Sequence, residues 1–480
     1  MLGRSRSLQP IGQHLNGEVR KVFNRKHIVQ IQDFSPDWVV TFESLQDNIS
    51  YCLTKWMRQM LSHDDNELLC RVGPDAPMGQ LMRRFWMPAL LESELAADGK
   101  PVRIRLLGED LVAFMDSEGR IGLLDEHCPH RGTSLALGVN GECGLRCLFH
   151  GWKFDVTGQC VDTPAEPENS KLANAMRTKA YPTRVAGGMV WTYMGPSELE
   201  PAFPHFPWFD MPKGSCEAFK VIYECNYSQA LEGAVDSSHA GILHRESAWD
   251  QPAKWPHEKD LRPKLEVEFT RYGMRYCAVR NADENLKNGR MTQVPMPFYT
   301  FIPPDGPRAP EFRRNRRLVN AFVPRDDYST WHIQFFYDPG QTIDRAHRMT
   351  EANTPHDEHF FKTNGIDVWY NQDREMMRTS NMSGIVGIAL QDHAVSETMG
   401  KIADRTKEHL GRSDMAVVAF RRMMLRSVKH MMATGEVPEA AQGSFDWNQI
   451  TAETFFFEPE RKWQDIQPLA ENLQPVDAAA

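Results

Sequence analysis

Cys128-Pro129-His130 and Cys147-Leu148-Phe149-His150 each place one thiolate and one imidazole on a short loop, with residues 131–146 between them. A [2Fe-2S] cluster with two Cys on one iron and two His on the other needs two such loops. Exchanging two thiolates for neutral imidazoles raises its potential to about −150 to +300 mV. Such a centre relays single electrons. Pro129 stiffens the first turn, Gly132 and Gly151 permit close backbone approach, and Trp152 offers an apolar cover. A structural zinc site can also use two Cys and two His, although zinc fingers usually pair Cys with Cys. Cys143 and Cys160 flank the second loop with no His at matching spacing, so both read as free thiols. His127 and Arg131 either tune the cluster by hydrogen bonding or are solvated surface.

A second stretch, Asn226 to His244, crowds Glu232, Asp236, His239 and His244 together. Two imidazoles and a carboxylate can hold an open, non-heme Fe(II). Asp236 and His239, three apart, would share a helix face, whereas His239 and His244, five apart, would diverge by about 140°. An unbroken helix cannot aim both at one ion. The helix is therefore predicted to end, or to widen into a π-turn, near Gly241. Spacing does not choose the carboxylate, because Asp373, Asp392 and Glu397 are all available downstream.

The elements that must position these groups belong to a chain of 480 residues, about three times the usual domain, so two or more cores are expected. A hydrophobic content of 41% suits large cores, and a net charge of −9 gives no reason to seek nucleic acid. No apolar run reaches the roughly 18 residues of a membrane span. Nine scattered cysteines and no secretory h-region point to the reducing cytoplasm. Cys52, Cys70, Cys216 and Cys277 read as small buried thiols.

Residues 1–59, Arg-rich at the start, read as an extension, either loosely ordered or an over-long start. Residues 60–84 form a helical segment capped near Ser62 and broken at Gly73 to Pro77. Residues 85–196 suggest a small antiparallel β domain with strands at 102–107, 111–115, 121–124 and 189–194. Residues 197–215 form a proline-rich connector whose Phe203, Phe206, Trp208 and Phe209 pack on neighbouring surfaces. Residues 216–480 carry further strands at 219–223, 265–269, 274–280, 318–323 and 331–337. A late helix there starts at Ser413 or Asp414, burying Met415, Val418, Leu425, Val428 and Met432 and leaving Arg421, Arg422 and Arg426 in water. The fold class is α+β.

Cys128-Pro-His130-Arg-Gly and Cys147-Leu-Phe-His150-Gly-Trp152 resemble the Rieske domain of aromatic-ring-hydroxylating oxygenases. Gln391-Asp392-His393-Ala394-Val395-Ser396-Glu397-Thr398-Met399-Gly400, with Asp404-Arg405 and Glu408-His409-Leu410-Gly411, resembles the phthalate-dioxygenase-like branch. The likeness runs from about Met60 to the late 420s. It implies a larger domain of helix-grip type, a curved antiparallel sheet covered by helices. It also implies one Rieske cluster on Cys128, His130, Cys147 and His150, and one Fe(II) on His239, His244 and Asp392. Asp236 would link His239 to His150 of a neighbouring subunit, which requires a ring, a homotrimer or stacked trimers. His393 would be a neighbour rather than a fourth ligand, since a filled coordination sphere excludes oxygen. Asn226 is placed near the iron and Glu232 as a structural acid.

With no Gly-rich dinucleotide fingerprint and no plant-type cluster motif, no bound flavin or NAD(P) is expected, and a separate reductase, flavin- and iron-sulfur-containing, is implied. The substrates would be O2 and an aromatic ring, carboxylated in the favoured reading and hydroxylated to a cis-diol or phenol. O-demethylation of a methoxylated aromatic acid is the alternative, and an electron-transfer protein with a dead mononuclear site is a third. Arg275 and Arg280 either anchor a substrate carboxylate by bidentate bonds or are solvated strand residues.

Overall fold

Three small antiparallel sheets make up the first half of a computed structural model that describes residues 60–253, 255–304, 316–443 and 445–474 and the backbone of one hairpin, Lys21–Asn24 with His27–Gln30. The remainder of the 1–59 extension, with Cys52, lies outside the described residues. One sheet holds Val102–Leu106, Glu109–Met115, Ile121–Asp125 and Ala180–Tyr181, and another Trp86–Leu91, Met189–Tyr193 and Thr183–Ala186. The third, Val139–Gly141, Gly144–Arg146, Lys153–Phe154 and Cys160–Asp162, brackets the loop of Cys147.

The second half is one eight-stranded antiparallel sheet. Seven strands run in the order Cys216–Tyr223, Ser329–Tyr337, Arg317–Asp326, Tyr299–Ile302, Lys287–Pro295, Gly273–Asn281, Lys264–Thr270, and Glu453–Phe457 pairs with Lys287–Pro295. Side chains alternate across it with period two. On Ser329–Tyr337, Phe335 faces the connector, with Trp208 stacked at 4.8 Å, while His332 faces the opposite side and meets His393. The connector aromatics pack as the sequence suggests, Trp191 on Phe206 and on Phe335.

Four helices matter for the sites: α1 (His63–Cys70), α2 (Tyr227–Val235), α3 (Ile388–Glu397) and α4 (Met415–Thr434). Ser62 caps α1, accepting from the Asp65 amide. α4 packs on Lys264–Thr270 and Gly273–Asn281, as expected, but its solvated face is corrected. Arg421 is 3% exposed and Met432 is 59% exposed. The helix faces α1 and α2 as well as the sheet, and there it meets Glu232 and Glu408, which Arg421 pairs, instead of apolar surface. Asp414 stands at the N-cap as expected, but its side chain accepts from the Gly411 amide rather than from an amide of the helix.

The main core runs unbroken from Trp86 and Trp191 through Trp208 and Phe335 to Phe420, so both halves share it. A smaller core, including Val112, Phe114, Leu135 and Phe154, underlies the loops of Cys128 and Cys147. Cys70 and Cys277 are buried thiols and Cys216 is half-buried. No helix among the described residues is long and apolar enough to cross a membrane.

Candidate metal centres

α2 begins at Asn226, whose side chain accepts from the Ser228 amide, and ends at Val235 with Asp236 as its C-cap. The helix thus stops earlier than the expected break near Gly241. Asp236 Oδ1 accepts from the Ser238 amide at 2.7 Å, a local bond that competes with helix continuation, and Arg280 Nη2 takes the Ser237 carbonyl at 2.7 Å. A single 3-10 turn, His239–Gly241, follows. Gly241 is obligatory, because a Cβ there would lie 2.1 Å from the His257 carbonyl oxygen. This turn brings two imidazoles five residues apart onto one point. His239 Nε2 and His244 Nε2 are 3.1 Å apart, and α3 supplies Asp392 Oδ1 at 3.5 and 3.1 Å from them. Among the described residues these three form the one group of His, Cys and acidic side chains gathered closely enough to hold a metal ion.

The donor set fits an ion. Two imidazole nitrogens and a carboxylate oxygen this close together are of the type and number that would hold one ferrous ion. Burial would raise the Asp392 carboxyl, but His244 and then His239 hold it below its usual range, so it is a carboxylate. Gln391, whose role the sequence did not disclose, accepts at Oε1 from His244 Nδ1 at 2.7 Å and so turns the lone pair of Nε2 toward the site. Its own amide donates to the Ile385 carbonyl. His239 Nδ1 is buried without a hydrogen-bond partner, and Asp236 Oδ2 lies 3.7 Å from it. Burial would raise Asp236, but His239 and the Ser238 and His239 amides lower it.

The other carboxylates left open by spacing have separate tasks. Asp373 Oδ1 accepts from the Glu375 and Met376 amides, and Glu397 is held by Lys362 and Tyr370. Asn226 is corrected from a place near the iron: it is fully buried at the opposite end of α2 from Asp236, donating to the Cys70 and Asp327 carbonyls. Arg275 and Arg280 are not solvated, being 3% and 1% exposed. Arg275 bonds to Glu268 and the Gln467 carbonyl, whereas Arg280 spans the Asp260 and Ser237 carbonyls beside Asp236. Burial, with Arg290 nearby, lowers the Arg280 guanidinium to about 10.

The two Cys/His loops repeat one backbone pattern. The Gly132 amide donates to the Cys128 carbonyl at 2.8 Å and the Gly151 amide to the Cys147 carbonyl at 3.0 Å. The Cys128 and Cys147 amides donate in turn to the Thr133 and Trp152 carbonyls. Gly132 and Gly151 have φ of 76° and 77°, left-handed values that suit glycine. Both thiols are buried, and the His130 and His150 rings lie 4.5 Å apart at the surface. Trp152 stacks flat on His130 at 4.5 Å. Burial, with Cys147 beside it, pushes the Cys128 thiol up to about 11, and the positive charge of bound iron would favour its thiolate. Cys143 and Cys160 are free thiols; His127 is exposed and Arg131 lies over the Phe149 ring.

Residues 85–182 match the Rieske [2Fe-2S] domain, and residues 192–470 match the LigXa C-terminal domain. The chain is 39% identical to the phthalate 4,5-dioxygenase oxygenase subunit of Pseudomonas putida over 78% of its own length and 88% of that protein. The chain belongs to the Rieske non-heme iron oxygenases. At 32% identity it also resembles the 5,5'-dehydrodivanillate O-demethylase oxygenase subunit of Sphingobium sp. (strain NBRC 103272 / SYK-6), covering 79% of this chain and 83% of that one. The crystal structure of dicamba monooxygenase bound to 3,6-dichlorosalicylic acid shares the oxygenase's fold, with a TM-score of 0.55 at 18% identity over 74% of this chain and 99% of that one. The oxygenase is an enzyme that carries a Rieske cluster and a mononuclear iron, and oxygenase subunits of its kind work with separate electron-transfer partners.

Proposed function

We propose that this oxygenase hydroxylates or dihydroxylates a carboxylated aromatic ring, with iron held by His239, His244 and Asp392 and the cluster held by Cys128, His130, Cys147 and His150. The observation that carries this reading is the convergence of two Nε2 atoms and one carboxylate oxygen within 3.5 Å from segments about 150 residues apart. When bound, the cluster supplies electrons singly and the ferrous ion activates dioxygen. The chain's own residues orient these groups. Gln391 keeps the His244 tautomer that presents Nε2, and the partnerless His239 Nδ1 awaits the Asp236 carboxylate. Asp236 is also the residue that would reach His150 of a neighbouring subunit in a trimer or stacked trimers. Apolar exposure on both metal loops supports such a contact: Leu148 and Phe149 beside His150 are 64% and 53% exposed, and Ile242 and Trp249 are 40% and 54% exposed. A separate reductase delivers the electrons.

The higher identity to a phthalate dioxygenase favours ring hydroxylation over O-demethylation. Arg275 and Arg280, committed to internal partners, are better assigned to holding the fold than to a substrate. The test is a screen of the reduced protein with a surrogate reductase against phthalates, methoxybenzoates and biphenyl acids. Oxygen uptake coupled to a ring diol is expected; formaldehyde from methoxylated acids would replace this reading with demethylation. His239→Ala should keep the cluster spectrum and lose all product, and product surviving that change refutes the ligand assignment.

A further inference from the structure

α3 carries Asp392 toward the histidine pair, and one residue later His393 points into the sheet. His393 is fully buried; His332, on the strand Ser329–Tyr337 next to the edge of the sheet, is 4% exposed and Glu397 is 3% exposed. Glu397 is surrounded by donors: the Lys362 ammonium at 2.7 Å, the Tyr370 hydroxyl at 2.8 Å and the Glu224 amide at 2.8 Å. It can therefore only accept, and His393 Nδ1, 3.3 Å from Oε1, carries its hydrogen. His393 Nε2 is then left as an acceptor for His332 Nδ1, 3.1 Å away. His332 Nε2, without a hydrogen in that tautomer, faces the Asn320 amide oxygen at 3.2 Å with no hydrogen between them, and that oxygen accepts from Gln334 instead. Ring stacking fixes the same groups from the sides, Tyr223 flat on His393 at 3.5 Å and Phe322 flat on His332 at 5.0 Å. Ligand binding requires none of these groups, yet all of them bear on the helix that holds Asp392.

We propose that the hydrogen-bonded chain His332, His393, Glu397 is a brace between the sheet and α3 that sets the rotation of that helix and thereby the aim of Asp392. The inference rests on the reading of Asp392 as an iron ligand. Its leverage follows from helix geometry. A side chain tip stands about 5–6 Å from the helix axis, so a 10° turn displaces it by about 1 Å. At triad spacings of 3.1 to 3.5 Å, that displacement decides whether all three donors reach one ion. His332 and His393 are positioning residues; they touch neither substrate nor metal.

The test uses the two nitrogens of His332 separately. Asn places an amide where Nδ1 stands and keeps the bond to His393; Gln places it where Nε2 stands and keeps only the contact with Asn320. Fe(II) affinity is measured by anaerobic equilibrium dialysis on cluster-containing protein, with the spin signal of the nitric oxide adduct as the signature of coordination. His332→Asn should bind within about threefold of the unaltered protein, and His332→Gln should bind 10- to 100-fold more weakly with an altered signal, the range found for lost outer-shell partners. A role in filling space alone predicts the reverse, since Gln is the closer match in volume. Equal affinities for both variants, or a weaker Asn variant, overturn the brace. Tyr370→Phe, which removes one hydroxyl from Glu397, serves if His332→Gln does not fold: several-fold weaker binding supports the brace and unchanged binding overturns it. Asp392→Ala separates the two readings, because unchanged Fe(II) binding there refutes the ligand assignment itself, whereas lost binding there with unaltered His332→Gln refutes the brace alone.

Discussion

Replacing Glu232 with Gln probes the joint that holds α2, and with it the start of the iron loop. The Glu232 carboxylate is 8% exposed and lies between two guanidiniums. Its Oε1 is 3.0 Å from Arg405 Nε and 2.8 Å from Arg421 Nε, and its Oε2 is 3.1 and 2.9 Å from their Nη2 atoms. Arg421 retains Glu408 at 2.6 Å. Arg405, with a fully buried side chain, keeps among the described residues only neutral partners such as Asn66 Oδ1 and Ser228 Oγ. Burial would raise the Glu232 carboxyl, but Arg405 and Arg421 lower it, so the charge persists at neutral pH. Removing one partner of a buried ion pair costs about 3–5 kcal/mol, and the amide's remaining acceptor places Gln near the lower end.

At 2–4 °C per kcal/mol for a domain of 150–250 residues, a 3 kcal/mol loss lowers the melting midpoint by roughly 6–12 °C, less if a larger unit melts cooperatively. Urea denaturation at pH 7 reads the loss directly. Because the pair is buried, the deficit should persist in high salt, which screens only exposed pairs. The double variant Glu232→Met with Arg405→Met should recover most of it by exchanging charge for apolar packing. A change below about 0.5 kcal/mol for Glu232→Gln, or a deficit that vanishes with salt, refutes the argument.

Gln391→Leu removes the bond that fixes His244. Fe(II) affinity should fall 10- to 100-fold with an unchanged cluster spectrum, and full affinity by dialysis would contradict the tautomer role. Asp236→Asn should retain both metals yet slow electron transfer from the reduced cluster in single-turnover, rapid-mixing experiments; an unaltered rate would count against the bridge. Glu397 should shape acid stability. Burial would raise its carboxyl, but His393 and Lys362 lower it to about 2, beneath the roughly 4.3 of an unfolded chain. Its contribution is complete above that unfolded value and is lost as pH falls toward 2. Glu397→Gln should therefore flatten the fall in urea midpoint between about pH 4.5 and 2, and an unchanged slope would remove Glu397 as its cause.

Much of the architecture was legible because its causes are local. Apolar, aromatic-rich runs such as Leu318 to Val323 and Trp331 to Tyr337 are strands that lie buried on both faces, and Ser62 starts α1 through a bond three residues long. Strands with weaker local signals escaped: Trp86–Leu91 contains Pro88, Lys287–Pro295 is rich in polar side chains, and Glu453–Phe457 pairs with a strand far back in the chain. Arg421 misled for a related reason. A charged residue on an amphipathic helix belongs in water unless a carboxylate from elsewhere meets it, and Glu232 lies 189 residues away.

The Cys/His loops were the most readable part of the chemistry, since each ligand pair sits in one turn closed by its own glycine amide. Amino-acid order alone therefore determined the cluster loops, the strands with strong local signals and the need for a break between His239 and His244. Tertiary structure alone decided that the helix stops at Val235, that Asp392 rather than Asp373 or Glu397 meets the histidines, and that Gln391 orients His244. Those choices depend on which distant segments share a surface, and hydrogen bonds across some 150 residues leave no periodicity in the intervening sequence.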